Sequence, residues 1–251
     1  MSFLPNGVVE KRHSDNDRKS YEMIEKAFQA SDLSVLEKLD AFPRFISKRS
    51  LTHFLCRYEI YKKILNVNGV IIECGVLNGA GLFTWAQLSN IFEPVNYNRR
   101  IIGFDTFEGF PSVSENDVNT EKNPGVGDLH GDSIENILVS VEKHNLERLL
   151  SHIPTIELVK GDFNLTGEPF LERNKQLLIS MLYLDFDLYE PTKKALEVFF
   201  PRMAKGSIIC FDELNCTQFP GETVALLECL DIKKYAIERF PMHPWISYIQ
   251  L

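Results

Sequence analysis

The sequence predicts a doubly wound α/β fold: a mostly parallel sheet, helices over both faces, and a helical extension ahead of it. Two observations carry this expectation. From Val70 to about Leu230, short apolar runs alternate with helix-length stretches. That order gives parallel strands joined by right-handed crossovers. The runs are also nearly continuous in apolar residues, as strands buried on both faces are. With 251 residues, one domain of roughly 200–250 residues plus an extension accounts for the chain. Residues 1–66 are read as an N-terminal helical extension or lid, and residues 67–251 as the sheet domain.

The elements follow in order. Residues 1–20 are polar and read as loosely attached. SYEMIEKAFQASDLSVLEKLDAF spaces Met23, Ile24, Ala27 and Phe28 helically, SLTHFLCRYEIYKKIL aligns Phe54, Tyr58, Tyr61 and Leu65 as one stripe, and both stripes read as core packing. After Asn68-Gly69, VIIECG is the first strand and LFTWAQLSNIF a helix, with Trp85 in the core. RRIIGFD is the second strand. Residues 108–133 are rich in Gly, Pro, Asn and Asp, and a loop this long is usually functional or mobile. SIENILVSVEKHNLERLL is a helix capped by Ser133. TIELVKGD and LLISMLYLDFD are the third and fourth strands. EPTKKALEVFFPRM is a helix with Pro191 in its first turn. GSIICFDEL is the fifth strand, GETVALLECLDI a helix, and the tail alternates as one or two strands.

Composition narrows the function. Lys and Arg total 27 and Asp and Glu total 35, a net charge of −8. That balance disfavours phosphate backbones and anionic membranes as partners. The five cysteines show no paired spacing and read as free thiols in a reducing compartment, hence a cytoplasmic location. No run approaches the roughly 20 apolar residues of a membrane span. No two of the six histidines have metal-ligand spacing.

In doubly wound sheets, ligands bind outside the carboxyl ends of the strands. Every strand here ends at an acid: Glu73, Asp105, Asp162, Asp185 with Asp187, and Asp212 with Glu213. The first turn, Glu73-Cys74-Gly75-Val76-Leu77-Asn78-Gly79-Ala80-Gly81, lets a ligand approach the backbone. It lacks the G-x-G-x-x-G spacing of dinucleotide sites and the Lys-Ser/Thr of a phosphate loop. The acid before Gly75 repels a pyrophosphate but suits a cationic ligand, such as a sulfonium compound with an amino-acid end. A plain strand-to-helix turn is the other reading. Asp105 suits ribose hydroxyls, or else a loop cap. The acids ending the fourth and fifth strands repel one another unless a cation intervenes. A divalent ion such as Mg²⁺ relieves that repulsion and prepares a hydroxyl as nucleophile. Asp185 or Asp187 could accept its proton. Helix capping is the alternative for Asp187.

ECGVLNGAG, GFDTFEGFP and LYLDFDLYEPTKKALEVFFPRMAKGSIICFDE together resemble the macrocin/mycinamicin-type O-methyltransferases, from about Val67 to Leu230. The resemblance implies a Rossmann-like methyltransferase sheet with a seventh, antiparallel strand near the C-terminus. It implies S-adenosylmethionine as donor, a divalent metal, a sugar hydroxyl as acceptor and a homo-oligomer. Glu73, Gly75, Val76, Asn78 and Gly79 would hold the donor's amino-acid end. Asp105 would take its ribose, with Thr106 and Phe107 nearby, and Gly161, Asp162 and Phe163 would border its adenine. Asp185 would adjoin the donor as well. Asp185, Asp212 and Glu213 would hold the metal, and Asp185, with Asp187 as alternate, would be the base. The family tends to have Gly where Phe186 stands and Asp-Asp where Asp212-Glu213 stands. Two rival readings are a nucleotide-sugar glycosyltransferase using the Asp-x-Asp and a cofactor-binding module without catalysis.

Overall fold

The structure, a computed structural model, describes residues 14–119 and 123–251. The expectation for residues 1–13 lies outside the described part. The chain divides into two compact units, Met1–Leu55 and Cys56–Leu251, and the division falls inside a helix.

In the first unit, α1 (Asp15–Gln29) starts earlier than expected, because Ser14 and Asp17 close a reciprocal capping box. Ser34 and Glu37 do the same for α2 (Val35–Asp40). The single expected pattern is thus two helices. Phe28 and Phe45 meet edge to face, ring centroids 5.4 Å apart. The stripe read as core on α1 is not buried: Met23 is 57% exposed and Phe28 40%. α3 (Lys48–Ile64) carries the unit boundary. Its buried stripe is Cys56, Arg57, Ile60, Tyr61 and Ile64, rotated from the expected one, and Phe54 is exposed. An arginine in the buried stripe is what apolar periodicity cannot anticipate.

The second unit holds a seven-stranded sheet of order β3-β2-β1-β4-β5-β7-β6. The strands are β1 (Val70–Cys74), β2 (Ile101–Asp105), β3 (Ile156–Lys160), β4 (Ile179–Leu184), β5 (Met203–Phe211), β6 (Ile237–Arg239) and β7 (Ser247–Gln250). The first five are parallel, and β7 runs antiparallel between β5 and β6. The antiparallel seventh strand implied by the resemblance is therefore present. Helices α4 (Ala80–Phe92), α5 (Ile134–Glu147), α6 (Phe163–Arg173), α7 (Tyr189–Phe199) and α8 (Gly221–Cys229) complete the unit. Ser133 caps α5 as expected. The sequence pattern predicts no helix at α6, whose Gly167 and Pro169 read as breakers.

Strand alternation builds two apolar layers. Ile71, Ile101, Met181, Tyr183 and Cys210 face Ile60, Tyr61 and Ile64 of α3 and Leu82 and Trp85 of α4. Ile72, Phe104, Leu182 and Ile209 face Phe163, Phe170, Leu196, Phe199 and Leu226 of α6, α7 and α8. At the amino ends of the strands, buried Arg99 donates to Glu93, to the Val67 and Gly69 carbonyls and to Ser180 Oγ. That end is closed by a satisfied network. The opposite end is where the strained and charged groups gather.

Candidate active site

The ladder runs one residue past the parallel strands. Gly161 N–H donates to the Asp105 carbonyl (2.9 Å), Gly75 N–H to Phe104 (2.9 Å), Asp185 N–H to Cys74 (2.8 Å) and Asp212 N–H to Leu184 (3.0 Å). Asp105, Gly75, Asp185 and Asp212 thus form one row across the sheet, with Gly161 one residue beyond it. Strand order reverses between β1 and β4, so Gly75 and Asp185 sit at the switch point, where such folds bind ligands.

The backbone beyond this row is strained. The described non-glycine residues with positive φ are Leu77, Phe107, Leu129, Asp187 and Asn215, and all lie in loops leaving this end. Each such conformation costs about 1–3 kcal/mol and concentrates at functional sites. Gly75 has φ +94, and a Cβ there would lie 2.0 Å from the Asp185 carbonyl oxygen. Only glycine lets the two loops approach this closely.

Asp105 fastens the glycine turn. Its Oδ2 accepts from Val76 N–H (2.7 Å) and Leu77 N–H (2.8 Å), and its Oδ1 from Phe107 N–H (2.7 Å). A carboxylate offers about four lone-pair sites, so these bonds leave little capacity for a ribose. Thr106 Oγ1 donates to the Gly109 carbonyl at 2.6 Å. Asn78 Oδ1 accepts from Asp132 N–H at 2.9 Å, and Gly79 opens α4 with φ +80. Val76 and Phe107 are buried in the core layer. Asp162 caps α6 through Asn164 N–H. The Phe163 ring packs against Phe104 and Phe186, with centroids at 5.1 and 5.3 Å. Phe163 is therefore a core residue, and Phe186 fills space beside it.

Alternation puts Glu73, Asp105, Asp185 and Asp212 in phase with the face covered by α3 and α4. Glu73 is buried beneath the turn, with Oε2 unpartnered. A Cβ at Gly81 would lie 1.8 Å from its Oε1. Burial pushes its carboxyl up to about 8, against the pull of Arg57. Arg57 Nη2 lies 3.9 Å from Asp185 Oδ2, and its guanidinium lies 5.3 Å from the centre of the Tyr183 ring. The Tyr183 hydroxyl donates to Asp212 Oδ1. Burial holds that hydroxyl well above the usual tyrosine range, so it stays a donor.

Asp187, Glu213 and Glu222 form the adjoining group, all buried. Glu222 Oε2 accepts from Glu213 N–H at 3.2 Å. Glu222 Oε1 and Glu213 Oε2 have no hydrogen-bond partner. Burial, then the Asp187 carboxylate and a side-chain hydrogen bond with it, drives Glu213 well above the ordinary range. Asp185 is raised by its partial burial and by Asp212 and Asp187, with Arg57 opposing. Its side chain is 28% exposed, whereas Asp187, Asp212, Glu213 and Glu222 are all buried. Among the described residues, no group of three or more His, Cys, Asp or Glu is arranged to hold a metal ion.

The structure thus brings Asp185, Asp187, Asp212 and Glu213 close enough to shift one another's protonation. Sequence reasoning missed Arg57, Tyr183 and Glu222. Arg57 and Tyr183 lie inside apolar stripes, and Glu222, in the first turn of a helix, reads as a dipole partner.

A sequence profile described as macrocin O-methyltransferase matches residues 45–225. Among solved structures, the calicheamicin methyltransferase CalS11 is 31% identical, covering 98% of this chain and 99% of that one, with TM-score 0.89. The apo structure of CalS11, a TDP-rhamnose 3'-O-methyltransferase, is 32% identical over 95% and 96% of the two chains, with TM-score 0.82. The O-methyltransferase NovP, 19% identical over 79% of each chain with TM-score 0.60, shares the fold. No curated protein sequence matches. The glycosyltransferase reading is not favoured by these matches. With the row of carboxylates at the switch point and the profile spanning most of the sheet domain, the chain belongs to the macrocin O-methyltransferase family and is an S-adenosylmethionine-dependent O-methyltransferase.

Proposed function

We propose that the chain methylates a sugar hydroxyl on a nucleotide-linked deoxysugar or a glycosylated natural product, with Asp185 as base and a divalent cation such as Mg²⁺ assisting. One observation carries the assignment of Asp185: at the switch point its carboxylate is partly open, whereas the neighbouring Asp187, Asp212, Glu213 and Glu222 are buried, and the partly open Asp105 is spent on the glycine turn. The likeness to CalS11, which acts on TDP-rhamnose, supports a nucleotide-activated deoxysugar.

The glycine turn fits the donor, and the crowded carboxylates give a cation a charge-based reason to bind, while among the described residues no three of them are arranged to hold one. Asp105 fastens the glycine turn through Val76 and Leu77 N–H, and Glu73 Oε2 is an unpartnered acceptor behind it. The sulfonium donor supplies an electrophilic methyl group for in-line displacement. Gly75, Val76, Asn78 and Gly79 would hold its amino-acid end together with Glu73. Asp105, Thr106 and Phe107 would shape the ribose side, and Gly161 and Asp162 the adenine side. The unpartnered oxygens of Glu213 and Glu222, crowded by like charges, fit a hard cation. Asp185, Asp212 and Glu213 would hold it, and it would supply charge stabilisation at the acceptor oxygen.

The chain's own residues do the rest. Asp185 Oδ accepts the acceptor's hydroxyl proton. Arg57, 3.9 Å away, opposes the upward pull of burial and of Asp212 and Asp187 on that carboxyl, and Tyr183 fixes Asp212 by donating to it. Rigid strand ends align the reactants, which can supply about 7–11 kcal/mol of barrier reduction. Five free thiols accord with a cytoplasmic site of action, and among the described residues no helix is long and apolar enough to cross a membrane. Exposed Leu36 (75%) and Leu39 (59%) on α2 support a homo-oligomer, to be checked by light scattering. Incubation with labelled donor and TDP-rhamnose, with Mg²⁺ or a chelator, tests the function. Methyl transfer that stops with chelation supports it, and transfer unaffected by chelation removes the cation.

A further inference from the structure

Beyond Phe107, the long segment between β2 and α5 takes no part in the chemistry above, yet its described residues are fastened firmly. Its two limbs pair, Phe110 N–H donating to the Asp128 carbonyl (3.0 Å) and Gly127 N–H to the Phe110 carbonyl (2.9 Å). Its return limb meets the glycine turn at Asn78. Its outer limb meets the loop after β5, where Asn119 Nδ2 donates to the Gln218 carbonyl at 3.0 Å.

A further tie is Asp117, a carboxylate only 2% exposed. Its Oδ2 accepts from Ser114 N–H (2.8 Å) and Ser114 Oγ–H (2.7 Å), closing the short 3-10 turn Glu115–Asp117. Its Oδ1 accepts from Tyr189 N–H at 2.6 Å. Tyr189 is the first residue of α7, and Leu188 at the N-cap offers that helix no side-chain bond. A distant carboxylate thus satisfies one orphan donor at the positive end of α7. Gly221 of α8 closes over it, since a Cβ there would lie 2.4 Å from the same Oδ1. The chain that Asp117 grips follows directly on Asp185-Phe186-Asp187. Beside it, Phe110, Leu188, Cys216 and Phe219 form a separate apolar cluster, with Leu129 and Trp245 packed on it. Three loops and the C-terminal tail contribute to this wall, all at the carboxyl end of the sheet.

We propose that Asp117 is a positioning residue. It registers the long segment, and the apolar wall that segment helps build, on the Asp185–Asp187 loop, so that an acceptor against the wall presents its hydroxyl to Asp185. The proposal rests on the reading of Asp185 given above. Displacing a reacting group by about 1 Å costs up to roughly 100-fold in rate, so a single buried tie is enough to matter.

The test compares Asp117→Ala and Asp117→Asn in the full chain. Asparagine keeps an acceptor for Tyr189 N–H but turns the Oδ2 acceptor into a donor. In the alanine variant, amide exchange at Tyr189 and across residues 110–119 rises together. Quenching of Trp245 rises too, while Trp85 stays shielded in the core. Affinity for S-adenosylhomocysteine stays within about twofold, and kcat/KM for TDP-rhamnose falls about 10- to 100-fold. Asparagine recovers most of the Tyr189 protection and of kcat/KM. Three results overturn the proposal: unchanged exchange at Tyr189 in the alanine variant, a loss of donor affinity equal to the loss of kcat/KM, or no recovery with asparagine. Failure of the unaltered chain to methylate TDP-rhamnose rejects that acceptor instead. Exchange at Tyr189 and quenching of Trp245 then still decide the role of Asp117.

Discussion

Glu73 lies behind the glycine turn with its carboxyl pushed up to about 8 by burial, while its ordinary value is 4.5. The folded chain therefore keeps a proton that the unfolded chain has released. This contribution to stability is fully present below about 4.5 and is lost as pH rises through about 8. Replacing Glu73 with Gln removes the slope. Melting temperatures of the two proteins should then diverge in favour of Gln between about pH 6 and 9. Parallel melting curves across that range contradict the burial argument. The sequence showed that an acid precedes Gly75, because motif position alone reveals that. It did not show that Asp105 spends its carboxylate on Val76, Leu77 and Phe107 N–H groups, since backbone geometry decides this. Nor did it show Arg57, whose charge argues for a surface until Asp185 and Tyr183 are seen beside it.

β1 and β4 are adjacent in the sheet though distant in the chain, and Gly75 is where their exit loops touch. Gly75→Ala combines a strained φ with a clash against backbone that cannot yield. The expected cost is about 2–6 kcal/mol, the sum of strain and overpacking. Urea denaturation measures it, and a loss under about 1 kcal/mol would mean that the loops are free to separate. Strands were legible because apolar runs between turn residues have few alternatives. α6 was not, because Gly167 and Pro169 obscure it. Gly167 serves packing, as a Cβ there would lie 2.6 Å from the Phe163 ring. The stripes on α1 and α3 were misread because periodicity marks an apolar face without saying what covers it.

Charge across the whole chain is modestly negative, and at one end of the sheet Arg57 faces Glu73, Asp185 and Asp212. A cation that binds the folded chain alone stabilises it by mass action, by about 2.7 kcal/mol at a concentration of 100 Kd. Saturating Mg²⁺ should therefore raise the melting temperature by about 5–10 °C for a chain of this size, with the shift abolished by chelation. An unmoved melting curve would leave the crowded carboxylates to be neutralised by protons alone. Topology class and the convergence of acids were legible at this scale, because element order and strand-end residues are written in the chain. Which acid stays open is set by packing, and only the structure shows it. The central claim is that Asp185 is the base at the switch point. Calorimetry with S-adenosylhomocysteine and a methyl-transfer assay on Asp185→Asn test it together. Donor affinity should be retained, while turnover falls about 100- to 10,000-fold. Turnover within about threefold of the unaltered chain, with the donor still bound, would contradict it.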